Sequence, residues 1–67
     1  RSKMLNVDYG LGEASVELFS LAGERITQSN GSNGRAILDP GLMSSGIYLI
    51  RVRQGNVAST AKVAAIR

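Results

Sequence analysis

The sequence predicts an all-β domain, a small antiparallel immunoglobulin-like β-sandwich of six to seven short strands. Three observations carry that prediction. Eight glycines cut the 67 residues into pieces too brief for ordinary helices. The pieces favour Val, Ile, Leu, Tyr and Thr, which suit a pleated, half-buried surface. Several of them also alternate apolar and polar residues with period two, as a strand covered on one face must.

Met4–Asp8 is the first predicted strand, with Leu5 and Val7 on one face. Ser15–Leu21 is the second, Val16 and Leu18 alternating with Glu17. Its partner is Arg25–Ser29, reached through the tight Leu21-Ala22-Gly23-Glu24 connection, in which Gly23 supplies the positive φ that closes the loop. Asn30-Gly31-Ser32-Asn33-Gly34 holds only turn formers and is expected to be an exposed, deformable loop. Arg35–Asp39 is a short fourth strand near an edge. Pro40 has no amide for a ladder, so 40–45 is expected to be a turn or a single 3₁₀ turn that dips Leu42 into the core.

Gly46–Arg53 is the clearest strand. Tyr48, Ile50 and Val52 face the core; Ile47, Leu49, Arg51 and Arg53 face away, apolar at first and basic at the end. Gln54-Gly55-Asn56 turns the chain into Val57–Ile66. There Val57, Ser59, Ala61, Val63 and Ala65 share one face, with Ala58, Thr60, Lys62, Ala64 and Ile66 opposite. The alanines and lysine of Ala58–Arg67 also suit a helix. The Gly-Asn turn and the strand before it favour a hairpin instead. Six strands are few for two sheets, so a seventh is expected to be missing.

Composition excludes much chemistry. With no Cys and no His, zinc fingers, thiol catalysis and Ser-His-Asp triads are ruled out. The acids Asp8, Glu13, Glu17, Glu24 and Asp39 lack metal-loop spacing. Asp8 and Asp39 stand at strand ends, where carboxylates bind turn amides, while Glu17 and Glu24 read as solvated. No catalytic residue, metal or cofactor is expected, and the function is read as non-enzymatic. Eight basic residues against five acidic ones give a net charge of +3, but they are spread out and only Tyr9, Phe19 and Tyr48 are aromatic. A nucleic-acid interface wants a basic stripe with stacking rings, so none is expected. No run of 18 apolar residues could span a membrane as a helix. No leader is visible, so any export signal is expected on a longer precursor. Tyr9 is the one candidate sugar platform, since Trp is absent and Tyr48 is expected to be buried. Asn30-Gly31-Ser32 matches the glycosylation pattern only formally. A chain this short buries roughly 60% of its unfolded surface, and without disulfides its margin of stability is small.

A more specific pattern runs through Val16-Glu17-Leu18-Phe19-Ser20-Leu21-Ala22-Gly23-Glu24-Arg25-Ile26 and Leu38-Asp39-Pro40-Gly41-Leu42-Met43-Ser44-Ser45-Gly46-Ile47-Tyr48-Leu49-Ile50-Arg51-Val52. Thr60-Ala61-Lys62-Val63 and the basic Arg67 follow. Over roughly residues 5 to 67 the chain resembles the C-terminal sorting domain of proteins exported by the type IX secretion system of Gram-negative bacteria. Leu42, Gly46 and Tyr48 carry the most specific part of the likeness. Ser20 stands where the family usually has an acid and Glu24 where it usually has a base. The family's leading Pro-Asn-Pro segment is absent, which implies a domain, residues 1–67, lacking its first strand.

The resemblance implies a signal domain that directs a cargo protein, joined to its N-terminus, through the periplasm and across the outer membrane. It implies recognition by translocon components and an outer-membrane shuttle barrel, then removal by a sortase-like peptidase on attachment at the cell surface. Gly23, Leu42, Gly46 and Tyr48 are then mainly structural: Leu42 plugs one end, Tyr48 buries its ring with the hydroxyl at the rim, and Gly46 avoids a clash at the strand entry. Lys62 sits on a face otherwise made of small and apolar residues. Either it blunts an edge strand against aggregation, or with Arg67 it forms a surface the translocon recognises. The other functional reading is an immunoglobulin-like accessory or weak carbohydrate-binding domain of an extracellular polysaccharide-degrading enzyme. An open sheet edge also leaves room for a homodimer.

Overall fold

Alternation decides which side of each strand is covered. Val16 and Leu18 are fully buried, while Glu17 between them faces outward with its neighbours on the adjoining strands. The structure, a computed structural model, describes residues 4–41 and 44–65. Its elements are β1 (Leu5–Asp8), β2 (Ala14–Ser20), β3 (Arg25–Gly31), β4 (Arg35–Leu38), β5 (Gly46–Gln54) and β6 (Val57–Ala65), with no helix among the described residues. They form two antiparallel sheets, β1–β4 and β3–β2–β5–β6, the small β-sandwich expected. Each predicted strand is present within about two residues of its expected ends.

The last segment is a strand and not a helix. Every residue from Val57 to Ala65 stands opposite a residue of β5, from Gln54 back to Gly46. A nine-residue ladder outweighs the modest helix propensity of a few alanines, which alone do not hold so short a helix in water.

Ala14, Val16 and Leu18 of β2, Ala36 and Leu38 of β4, and Ile50 of β5 form the core. Leu5, Val7, Tyr9, Tyr48, Val52 and Val63 pack around it. Each fully buried Leu or Val contributes about 1.5–3 kcal/mol, so Leu18, Leu38 and Val16 dominate a small total.

The segment 30–34 is a correction to the expected loose loop. Asn30 and Gly31 extend β3, and Gly31 and Gly34 are both buried. The turn narrows to Asn33 and Gly34, at φ 57° and 81°, and Ser32 and Arg35 exchange amide bonds of 3.0 and 3.1 Å across it. Two positive φ values are what a tight two-residue hairpin requires. Close packing explains the glycines: a Cβ on Gly31 would lie 2.6 Å from the Tyr9 hydroxyl and 2.7 Å from the Arg35 carbonyl oxygen. A Cβ on Gly34 would run into the Gly10 carbonyl. The β2–β3 hairpin is as expected, with Gly23 at φ 92° and Ser20 donating its amide to the Glu24 carbonyl at 2.9 Å. The register shifts beyond Leu18, leaving Ile26 as one extra residue on β3.

Candidate recognition surface

Directly opposed residues in an antiparallel ladder share a face, so register alone lays out the outer side of the large sheet. One row runs Gln28, Glu17, Arg51, Thr60 from β3 to β6. Beside it lies a second row of Phe19, Leu49 and Lys62.

Glu17 is the hub of this face, a correction to its reading as a solvated acid. Its side chain keeps only 12% of its exposure. Oε1 accepts from Arg51 Nη2 at 2.8 Å and Nε at 3.0 Å, and Oε2 pairs with Arg25 Nη1 at 3.4 Å. Hydrogen bonding from Arg51 outweighs the opposing effect of burial and, with the charges of Arg51 and Arg53, holds the Glu17 carboxyl below its ordinary value. The Arg51 guanidinium also lies 5.0 Å from the centre of the Phe19 ring. Sequence reasoning missed this network. Its signal was the acid in mid-β2, which could be matched to the basic end of β5 only once the two strands were known to be neighbours.

The residues singled out from the sequence are dispersed. Lys62 is exposed on β6, opposite Leu49, and among the described residues it forms no ion pair. Gly23 is at the hairpin tip and helps line a shallow hollow of about 260 Å³ with Phe19, Leu49, Arg51 and Thr60. Tyr48 lies on the opposite, inner face, half-buried where burial was expected, and its hydroxyl donates to the Ser44 carbonyl at 2.7 Å. At Gly46 no clash with a described residue is avoided: among those residues a Cβ there would meet only the Tyr48 ring, at 3.9 Å. Leu42 and Arg67 lie outside the described residues.

Asp8 and Asp39 do accept turn amides, from Gly10 at 3.3 Å and Gly41 at 3.2 Å. Tyr9 donates its hydroxyl to the Gly12 carbonyl at 2.8 Å and packs its ring edge on Gly31, a structural use of the residue. A larger open depression of about 490 Å³, lined by Glu13, Asn30, Arg53 and other residues, brings together no paired acids. Among the described residues no three His, Cys, Asp or Glu side chains gather to hold a metal. The surface can therefore bind by shape, apolar area and positive charge. A family model of the secretion system C-terminal sorting domain matches residues 1–66. No curated protein and no solved structure matches the chain.

Proposed function

The chain belongs to the secretion system C-terminal sorting domain family, the sorting signals of type IX secretion, and from that premise we propose that it acts as a non-enzymatic address read at the outer membrane of a Gram-negative bacterium. Membership makes the parent protein secreted or displayed on the cell surface, with a cargo part preceding this domain and the secretion machinery as its partner. The single observation that carries the reading is the match over nearly the whole chain.

In this reading an outer-membrane shuttle barrel binds the domain, the translocon passes the cargo outward, and a sortase-like peptidase removes the domain as the cargo is attached. Lys62 and Arg67 are the recognition residues. Exposure of Lys62 on an edge strand, unmatched by any described acid, supports that role for it. Lys62→Glu in the precursor separates recognition from edge protection. The variant keeps a charge on the edge, which suffices against aggregation, but reverses the sign a partner would meet. Cargo trapped in the periplasm with the domain still folded is the expected result. Undiminished export of both Lys62→Glu and a chain lacking residues 63–67 would overturn the assignment.

A further inference from the structure

Charge is divided unequally between the two sides of the large sheet. On the outer face the described strands carry four cations, Arg25, Arg51, Arg53 and Lys62, against one acid, Glu17. Arg25 and Arg51 both pair with Glu17, so one largely covered carboxylate answers two guanidinium groups. Among the described residues neither Arg53 nor Lys62 meets an acid within ion-pair distance. The face keeps a surplus of positive charge.

Register sets these cations around apolar surface. Arg25, Phe19, Leu49 and Lys62 stand directly opposite one another on β3, β2, β5 and β6, a row about 14 Å long at ordinary strand spacing. Phe19 and Leu49 are its half-buried middle, and Ile47, next along the outer side of β5, keeps 50% of its exposure. The hollow of about 260 Å³ opens beside Phe19 and Leu49, with Arg51 and Thr60 on its wall. That is less than the roughly 300–1,000 Å³ of sites for drug-sized ligands, and it suits a single side chain. The face spans about 14 Å by 24 Å, well below the roughly 800 Å² that a globular partner covers in a stable interface. Its match is a short extended segment, whose side chains at i, i+2 and i+4 share one side and span about 14 Å.

We propose that this face docks an extended acidic segment of a partner protein, of the pattern acid-x-apolar-x-acid. The segment crosses the strands with its carboxylates over Arg25 and Lys62 and its apolar side chain in the hollow. This deepens the recognition role given to Lys62 and rests on that reading only in taking the partner to be a protein. Two other occupants fit less well. A two-fold interface pairs identical patches, so a second copy would bring the same positive face against itself. A lipid surface supplies phosphates but nothing to fill the hollow. Membrane-seeking faces also sink bare apolar side chains into the bilayer, whereas Phe19 is half-buried with the Arg51 guanidinium over its ring.

The test titrates a fluorophore-labelled synthetic peptide carrying Glu-Ser-Leu-Thr-Glu with the precursor, read by anisotropy at physiological salt. Saturable binding is expected. Arg25→Gln and Lys62→Gln should each weaken it about two- to five-fold, and the pair about ten-fold. Arg35→Gln, on the other sheet and beyond about a Debye length, should leave it unchanged. All three substitutions are at exposed positions and spare the core. Serine in place of the peptide's leucine should weaken binding about ten-fold. Setting the two glutamates side by side removes one contact and should weaken binding as Lys62→Gln does. Absence of saturable binding overturns the proposal, as does binding that the Arg25→Gln, Lys62→Gln pair leaves intact or that Arg35→Gln weakens equally. Tighter binding to phosphatidylglycerol vesicles, lost in the same pair, also overturns it and assigns the face to a lipid surface. The titration does not read export, so the sorting reading, which Lys62→Glu tests in cells, stands or falls separately.

Discussion

Glu17 sits between two arginines drawn from different strands, and its carboxylate links β3, β2 and β5 across the outer face. Because the folded protein holds it below its ordinary value of 4.5, its contribution to stability is present above that pH and is lost as pH falls below it. Glu17→Gln should therefore lower the thermal midpoint at neutral pH, and the gap from the wild type should close as pH falls through the acid range. A gap that stays constant down to low pH would remove the ion pairs from the account. Gly34→Ala tests the packing of the tight turn. A Cβ there meets backbone at a positive φ, so the substitution should cost about 3 kcal/mol, read from chemical denaturation. The turn-binding roles of Asp8 and Asp39 and the positive φ of Gly23 were legible in the sequence because they depend only on near neighbours. Glu17 was not, because its partners lie 8 and 34 residues away.

The strands were legible because apolar alternation and glycine punctuation are local signals. The hairpin through Asn33 and Gly34 was misread for the same reason. Turn-forming residues look alike whether they hang in solvent or press against Tyr9 and Gly10, and only tertiary packing tells them apart. Gly46 gives the converse case. Its place ahead of β5 suggested a steric need, yet the described residues leave room for a Cβ and its φ is not positive. Gly46→Ala should leave stability unchanged or raise it by about 0.4–1 kcal/mol, since alanine has less freedom to lose on folding. A folded Gly46→Ala protein whose cargo is retained would assign this glycine to recognition. A loss of several kcal/mol in thermal melts would instead show a constraint that the geometry lacks.

A molecule of 67 residues with six buried core side chains among those described has little stability to spare. Among the described residues its outer face carries more cations than acids, an arrangement suited to being held by other proteins. The all-β class was visible in the sequence. The uneven division of strands between the two sheets was not, since strand order depends on which edges meet in space. The deciding measurement is the distribution of a foreign periplasmic protein between periplasm and cell exterior, in a bacterium with a type IX system, once residues 1–67 are fused to its C-terminus. The account predicts that the foreign protein appears outside the cell or on its surface. A stable, folded fusion that remains entirely in the periplasm would contradict it.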